Sequence, residues 1–334
     1  FLRCDIENPS FDSQTKDFMS TPVAKFGSSC TVSDSFIDKI AKMGIMNTAC
    51  ELTTIKDNKT AKKSDGSKTK SVRGIPKLVD ANYAGTAKSH MCTLILCEGD
   101  SAKAGIISGL SKEDRNIYGV YPMKGKLFNV RGETAKRISE NKEIVEIKQI
   151  MGLETNKKYE SLENVKKSLR YSKILFMTDQ DLDGSHIKGL CLNLFNSQWK
   201  EMIKFKNIFG FINTPIIKAK KGKKEEKFYN DYQYQEWKKE NNDGKGWTIK
   251  YYKGLGTSNS REFKEYFEEK KFVMFNYGGD ECSNSLDKVF NKTRADDRKV
   301  WLGEYNKESI LDTNQTNITY EDFVNREFIH FSKY

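Results

Sequence analysis

Two continuous apolar runs constrain the fold of this chain more than any other feature. Residues 93–96 (TLIL) and 174–177 (ILFM) have the composition of central strands in a parallel sheet whose two faces are both covered. Apolar residues at helical spacing occupy 144–151, between the two runs, and 187–202, after the second. Because strands and helices alternate along the chain, the sequence predicts an α/β fold with a parallel sheet.

The length of 334 residues favours more than one domain, and the chain begins with Phe1 rather than Met, so we expect an internal segment of a longer protein. We predict the end of a preceding domain, a linker helix with a basic linker, a compact α/β core, an extension of that core and a link to a following domain. The corresponding ranges are 1–30, 31–89, 90–217, 218–303 and 304–334.

Four segments outside the core also have readable patterns. An amphipathic helix is predicted from Ser33, and another from Glu321 to Phe331. The basic segment Lys59–Arg73 (KTAKKSDGSKTKSVR) is predicted to be a solvated linker. The segment Lys218–Lys227 (KAKKGKKEEK) is expected to form a charged hairpin tip or loop.

The overall composition indicates which kinds of molecule this protein could bind. A formal net charge of +11 makes an anionic partner such as nucleic acid plausible, although a lysine-rich surface without such a partner would have the same charge. Seven scattered cysteines without a C-x-x-C pair, together with three histidines, argue against a zinc site and favour reduced intracellular thiols. No apolar run approaches the length of a membrane span, so no membrane partner is expected.

Acidic motifs follow both apolar runs. The first is EGDSA, which begins at Glu98, and the second is DQDLDG, with Asp179, Asp181 and Asp183 at alternate positions. Because the carboxyl ends of parallel strands meet at one edge of a sheet, these carboxylates are expected to collect there. Oxygen ligands suit hard cations, so the pattern predicts a Mg²⁺ site; acids that are merely solvated at strand ends remain the alternative.

DQDLDG also matches the first six positions of a calcium-binding EF-hand loop. That loop needs a bidentate glutamate at its twelfth position, where this chain has Leu190, and a helix before it, where this chain has an apolar run. The EF-hand interpretation is therefore rejected.

Basic and glycine-containing turns lie near the acidic motifs. Lys124 and Lys126 flank a glycine, an arrangement that lets two cations and the backbone approach phosphates, although such turns are also common on surfaces. His186, just after the acidic motif, could help to bind phosphate or could simply be a polar residue at the start of a helix. The segment Lys253–Thr257 (KGLGT) could be a plain glycine turn.

Five segments occur together in an order that resembles the TOPRIM domain of type IIA topoisomerases. They are EGDSA from Glu98, PMKGKLFNV from Pro122, DQDLDGSHIKGL from Asp179, TPIIK from Thr214 and YKGLGTS from Tyr252. The resemblance extends outwards through ENPSFDSQTK, KKSDG and RADDRKVWL and covers nearly the whole chain. The residues within the motifs are similar to those of the eukaryotic and large-DNA-virus branch of the family. It implies a Rossmann-like TOPRIM core with α+β flanking segments.

The resemblance implies roles for the acidic residues. Glu98, Asp179 and Asp181 would hold catalytic Mg²⁺, which Mn²⁺ or Ca²⁺ could replace for binding, and Asp183 would assist. Glu98 could alternatively act as a general acid or base.

It also implies contacts with DNA and ATP. Lys124, Lys126 and Asn129 would contact the cleaved DNA strand, with His186 as a further phosphate contact. The loop Gln14, Thr15 and Lys16 would reach the γ-phosphate of ATP in the full-length protein, so the range 1–30 would end an ATPase transducer region.

Two departures from the family pattern bear on this interpretation. Where the family has Pro-Leu-Arg-Gly-Lys, this chain has Met123 and Lys124, so the fork of an arginine is replaced by a point charge. The DNA-cleaving tyrosine of the family belongs to a winged-helix domain beyond this region, and Tyr334 is not its counterpart.

The expected function is therefore the central DNA-gate portion of an ATP-hydrolysing type II topoisomerase, a homodimer that cleaves and religates duplex DNA in the nucleus or in a viral factory. The isolated fragment is expected to be inactive. The alternatives are a TOPRIM nuclease or primase, and a metal-stabilised DNA-binding module without activity of its own.

Overall fold

The computed structural model describes residues 5–27, 29 and 31–333. Several residues discussed from the sequence lie outside these ranges. They are Phe1, Cys4, Cys30 and Tyr334. The chain divides into two compact units at residue 56, and each is described by itself. Within the described ranges, no helix has both the length and the apolar character that crossing a membrane would require.

The first unit consists of loops and helices. It contains a 3₁₀ turn (Val23–Lys25), helix α1 (Asp34–Lys42) and the beginning of helix α2 (Ile45–Lys62). The predicted amphipathic helix after Ser33 is confirmed as α1. Its apolar side chains at Phe36 and Ile40 are exposed.

Nine strands form two sheets in the described part of the second unit. The strands are β1 (Thr93–Glu98), β2 (Tyr118–Met123), β3 (Lys173–Met177), β4 (Phe209–Ile212), β5 (Ile217–Lys221), β6 (Lys224–Phe228), β7 (Thr248–Tyr251), β8 (Phe272–Asn276) and β9 (Asn317–Thr319). The larger sheet has the order β2-β1-β3-β4-β8-β9, and the smaller one β6-β5-β7.

The central strands of the larger sheet are parallel, as the apolar runs predicted. β1 pairs in parallel with both β2 and β3, β3 pairs in parallel with β4, and β8 runs antiparallel to β4. The predicted α/β fold with a parallel sheet is therefore confirmed.

Helices complete the second unit. They are α3 (Gly99–Gly109), α4 (Asp114–Ile117), α5 (Ala135–Glu140), α6 (Lys142–Met151), α7 (Leu162–Ser168), α8 (Leu182–Gln198), α9 (Asp231–Glu240), α10 (Ser260–Glu269), α11 (Asp280–Phe290), α12 (Ala295–Gly303), α13 (Tyr320–Phe323) and α14 (Ile329–Lys333). A π-helical turn, Val324–Phe328, joins α13 to α14, so the helix predicted near the end of the chain is confirmed with one widened turn.

The larger sheet separates two hydrophobic cores. In β1, Leu94 and Leu96 face one core, which also contains apolar residues of α6 and α8. Ile95 and Cys97 face the other core, together with Ile106 of α3 and the aromatic residues of α10. Since alternate residues of a strand point to opposite faces, a strand buried on both sides must be apolar throughout, which explains the uninterrupted run.

The smaller sheet contains the predicted charged hairpin. β5 and β6 pair antiparallel from Ile217↔Phe228 to Lys221↔Lys224, and Gly222 in the connecting turn has φ +62°. A small aromatic core beneath this sheet includes Phe228 and Tyr234. The prediction of a hairpin for Lys218–Lys227 is confirmed.

The prediction of a solvated linker for Lys59–Arg73 is wrong. Within it, Ala61 and Ser64 are buried, and the backbone N–H of Gly66 donates to the carbonyl of Leu153. The composition of the segment did not predict its burial, because the residue that it packs against is far away in sequence.

That partner is Lys148 of α6, a buried lysine. Its Nζ donates to Ser64 Oγ at 2.8 Å and to Asp65 Oδ1 at 2.9 Å, and Thr155 also binds Asp65. A buried ammonium requires such partners, so the KKSDG segment is held against the core.

Candidate active site

Glu98 is placed by the end of strand β1. It is the last residue of the strand, and the next residue, Gly99, has φ +79°, a conformation that favours glycine and turns the chain directly into α3. The Oε2 atom of Glu98 is buried and has no hydrogen-bond partner among the described residues. Buried polar atoms are normally satisfied, so this orphan oxygen calls for a partner that the described chain does not supply.

Asp179 lies just beyond the neighbouring strand β3, at the same edge of the sheet. Its Oδ1 accepts a hydrogen bond of 2.7 Å from the backbone N–H of Leu255. A Cβ on Gly254 would lie 2.2 Å from Asp179 Oδ2, so only glycine lets this loop approach so closely. The KGLGT segment is therefore a support for Asp179 and not a plain glycine turn.

Asp181 and Asp183 are placed by the start of helix α8. Asp181 is its N-cap residue, and Oδ1 accepts a hydrogen bond of 2.7 Å from the N–H of Gly184. Asp183, in the first turn, forms an ion pair of 2.7 Å with Lys126. A Cβ on Gly184 would lie 1.9 Å from the carbonyl oxygen of Asp179, which explains the glycine that ends the motif.

The four carboxyl groups interact electrostatically. Burial raises the pKa of Glu98 above its usual value, and the negative charge of Asp179 raises it further, with smaller contributions from Asp181 and Asp183. A hydrogen bond from the backbone of Asp179 acts in the opposite direction without cancelling the rise. The structure therefore brings together the four acids that the sequence predicted at this edge.

The four acids offer the type of ligand that Mg²⁺ prefers, but they do not form a complete coordination shell. Their donors are all hard oxygens, and the orphan oxygen of Glu98 is the strongest sign that a cation belongs there. Within the described ranges, however, no three His, Cys, Asp or Glu side chains are already arranged to hold a metal ion. Asp179 and Asp181 each use one oxygen to bind a backbone N–H, and Asp183 is engaged by Lys126. The metal-ligand assignments remain predictions.

The basic loop leaves strand β2 beside the acids. Lys124 and Lys126 are both exposed, and Gly125 between them has φ +146°. The backbone N–H of Lys124 donates to Glu143 Oε1 at 2.6 Å, which anchors the start of the loop. Both ammonium groups therefore lie at the surface, where a phosphate could reach them, and that of Lys126 is shared with Asp183.

Asn129 occupies a different position from the two lysines. Its Nδ2 donates to the carbonyl of Phe290, and its Oδ1 accepts from the N–H of Arg131 and from Nδ2 of Asn193. Both ends of the amide are thus engaged within the protein. Its predicted contact with DNA is untested, and the geometry gives it a clear role in holding the loop.

His186 projects from the first turns of α8. Its ring stacks on Phe331 with centroids 4.0 Å apart, and its Nδ1 is buried with no partner in the described chain. Burial lowers its pKa below the usual value, and the nearby Lys126 lowers it further. The predicted contact of His186 with phosphate remains a prediction.

Gln14, Thr15 and Lys16 belong to the first unit and form an exposed turn. Phe11 and Met19 form an isolated β-bridge on either side of it, and Lys16 has φ +61°. The three residues are exposed to solvent. Their predicted contact with ATP is untested.

Comparison with known families assigns most of the second unit. A model described as "Toprim domain" matches residues 93–209, and one described as "C-terminal associated domain of TOPRIM" matches residues 211–334. Together the two models account for most of the chain.

Whole-chain relatives narrow the family. DNA topoisomerase 2 of Plasmodium falciparum is 45% identical over 341 residues, with 100% of this chain and 24% of the relative covered. DNA topoisomerase 2-beta of Homo sapiens is 44% identical, with 99% of this chain and 21% of the relative covered. The chain belongs to the type II DNA topoisomerase family. It spans about a quarter or less of the length of these curated relatives.

A solved structure of a topoisomerase II agrees with this assignment. The "DNA-binding, cleavage and re-ligation domain" of the Plasmodium falciparum protein superimposes with a TM-score of 0.75 at 47% identity, covering 79% of this chain and 36% of that one. The Toprim fold predicted from the sequence motifs is therefore confirmed. The five predicted domain boundaries are not tested by these matches.

Two features of this Toprim site were missed from the sequence. The N–H of Leu255 binds Asp179 from 76 positions away, and the only sequence signal was the KGLG turn. Glu327 binds Ser185, four residues after Asp181, and no local pattern singles it out.

Proposed function

We propose that this chain is the Mg²⁺-binding, DNA-engaging part of the DNA gate of an ATP-dependent type II topoisomerase. The observation that carries the proposal is the orphan oxygen of Glu98, which within the described chain lacks a partner and lies among the carboxylates at the strand ends. A partly desolvated carboxylate with one buried, unpartnered oxygen beside like charges is typical of a functional site, because structure alone gains nothing from it.

In this proposal Glu98, Asp179 and Asp181 hold Mg²⁺, and Asp183 assists when it is released from Lys126. Mn²⁺ or Ca²⁺ could replace Mg²⁺ for binding, since both prefer oxygen ligands. The bound ion would stabilise negative charge on the attacking or leaving oxygen of a phosphodiester. The backbone N–H of Leu255 and the cap at Gly184 orient two of the carboxylates beforehand.

DNA is proposed to lie across the exposed lysines. Lys124 and Lys126 would bind phosphates of the cleaved strand as point charges, with His186 nearby. Asn129 would act on DNA chiefly through the loop that it holds in place.

The whole protein is proposed to act as a homodimer that cleaves both strands of one duplex, passes a second duplex through the break and religates the first. A tyrosine of a winged-helix domain would make the covalent bond to DNA, and Gln14, Thr15 and Lys16 would contact ATP. The eukaryotic origin of the relatives supports action in the nucleus, or in a viral factory if the source is a virus.

The test is the substitution Asp179→Ala in the full-length protein that contains this chain. We expect Mg²⁺-dependent cleavage and relaxation of supercoiled DNA to be lost while DNA binding is retained. Glu163→Ala, an exposed carboxylate on α7, is the control and should behave as wild type. Unchanged cleavage by Asp179→Ala would show that the acidic cluster is structural and that the proposed site is wrong.

A further inference from the structure

The helical segment 320–333 contacts helix α8, whose first turn contains part of the acidic motif, through a buried ion pair. Nζ of Lys188, on helix α8, lies 2.5 Å from Oε1 of Glu327. Only 2% of the Lys188 side chain and 18% of the Glu327 side chain are exposed. The lysine ammonium also lies 4.4 Å from the ring centroid of Phe211, in surroundings that offer little water. Loss of either partner would leave an uncompensated charge in these surroundings, so this contact is costlier to break than a surface pair.

The same glutamate oxygen reaches the residues of the motif. Ser185 Oγ donates to Glu327 Oε1 at 2.7 Å, and Ser185 Oγ also lies 3.1 Å from the backbone carbonyl of Asp181. Asp181 in turn caps α8 at Gly184. Glu327 is therefore connected to the metal-ligand candidate Asp181 through one serine.

A second contact lies four residues further along the segment. Phe331 stacks on His186, and the ammonium of Lys126 lies 5.5 Å from the centroid of the Phe331 ring. Lys126 is the residue that pairs with Asp183. Residues four apart on a helix share a face, so this segment reaches Ser185 and His186, which directly follow the acidic motif, and its basic neighbour Lys126.

The π-helical turn Val324–Phe328 explains how this face is formed. An extra residue in a helical turn shifts the register of everything after it, and such turns are frequent at functional sites. Glu327 lies inside this turn. A Cβ on Gly189 would lie 2.6 Å from the Phe328 ring, so a glycine in α8 is what lets the turn approach.

We infer that Glu327 is a positioning residue for the acidic motif: through Ser185 and Lys188 it fixes the first turn of α8, which carries the carboxylates of Asp181 and Asp183. This inference rests on the proposed metal site. Its consequence is a reciprocal coupling, since a residue that improves metal binding must itself be held more firmly when the metal is bound.

The experiment measures Mn²⁺ binding to this chain by electron paramagnetic resonance, in Glu327→Ala and in Ser185→Ala. Glu327→Ala removes the contacts with both Ser185 and Lys188, whereas Ser185→Ala removes the link to Asp181 and leaves the buried ion pair intact. Ser185→Ala therefore still tests the inference if Glu327→Ala does not fold. We expect half-saturation to require about tenfold more Mn²⁺ in both, the order found when a group that orients a ligand is lost. Glu321→Ala, in the first turn of the same helical segment, should bind as wild type.

A second readout separates positioning from general stability. In the wild type, adding Mn²⁺ should slow amide hydrogen exchange across residues 324–333, and this protection should be absent in Glu327→Ala. A purely structural role would lower the melting temperature of the metal-free variant without moving the half-saturation of its folded fraction, and that result would overturn the inference.

Asp179→Ala in the same assay distinguishes the two possible failures. If Asp179→Ala leaves Mn²⁺ binding unchanged, the proposed metal site is wrong and the inference falls with it. If Asp179→Ala abolishes binding while Ser185→Ala and Glu327→Ala bind as wild type, the metal site stands and only the positioning role is refuted. An equal shift in Glu321→Ala would also refute that role.

Discussion

The acidic segment 179–183 and the basic hairpin of β5 and β6 are both rich in charged residues, but they differ in how far those charges are paired within the protein. In the hairpin, Lys218 lies 3.2 Å from Glu225 and 2.9 Å from Glu265, and Lys227 is paired with Glu269. At the strand ends, the acids are gathered beside the orphan oxygen of Glu98, which the described residues leave without a partner.

This difference separates a charged segment that stabilises the fold from one that is expected to bind a ligand. The density of charge alone cannot show this difference, because each is a short run rich in charged residues. The hairpin neutralises its buried charges within the molecule, as stability requires, whereas the acidic edge accepts an unfavourable concentration of like charge. Such an arrangement is expected where a ligand later supplies the compensating charge.

The largest effect should come from removing the charge of Glu98. In Glu98→Gln we expect Mg²⁺-dependent DNA cleavage by the full-length protein to fall at least about 100-fold, the order of loss when one fixed electrostatic partner is removed. The metal-free chain should instead become more stable at neutral pH, because a desolvated charge disappears.

The pH dependence of this effect has a defined sign. The pKa of Glu98 is raised above its usual 4.5, so the folded state holds the proton more tightly than the unfolded state does. The wild type therefore loses stability as pH rises from 4.5 through the folded pKa, and the Gln variant lacks this loss. Urea unfolding in EDTA across this range measures the difference; a variant that is less stable at pH 7 would contradict the comparison.

The next effect concerns the loop that supports Asp179. Gly254→Ala places a methyl group 2.2 Å from Asp179 Oδ2, whereas at Gly256 a Cβ meets nothing described within 4 Å. We expect cleavage to fall roughly 10- to 100-fold in Gly254→Ala, because a group that orients a ligand is displaced. Gly256→Ala is the matched control. Equal activities in the two variants would show that the loop does not support the site.

An intermediate effect is expected in the hairpin, on stability and not on activity. Lys218→Met should destabilise the chain by about 2 kcal/mol, since Glu225 and Glu265 lose their nearer shared cation and are left with the more distant Lys227. Lys223→Met, at the exposed tip, should stay within about 0.5 kcal/mol of wild type. Urea unfolding measures both. A loss of DNA cleavage in folded Lys218→Met would mean that the hairpin is more than a structural element.

The smallest effect should be seen for one surface lysine at the site. Lys126→Ala should weaken DNA binding several-fold and lower the salt dependence of binding by about 0.9 in log–log slope, as expected for one lost phosphate contact. Lys223→Ala removes another exposed cation, from the hairpin, and should leave the slope unchanged. Fluorescence anisotropy with a DNA duplex at several salt concentrations tests the pair, and equal slopes would remove Lys126 from the interface.

Much of the fold was predictable because it follows from local periodicity. The apolar runs predicted β1 and β3, and the helical spacing of Ile144, Ile147 and Met151 predicted α6. The meeting of Glu98 with Asp179 was also predictable, since parallel strands end at the same edge of a sheet.

The errors and omissions share a physical cause. The segment Lys59–Arg73 looked solvated because its lysines are polar, but Ser64 and Asp65 bind Lys148 more than 80 positions away. The N–H of Leu255 and the carboxylate of Glu327 are likewise brought to the site from distant parts of the chain. No local pattern encodes a contact of this kind.

The sequence by itself determined the two central strands, the helices with clear apolar spacing and the identity of the acids at the sheet edge, because these depend on side-chain chemistry and on spacing within a few turns. The tertiary structure alone decided which charges are compensated. Whether a lysine or a carboxylate is paired depends on which distant segment folds against it. A buried charge is stable only with such a partner, so the orphan oxygen of Glu98 becomes visible only when the whole chain is in place.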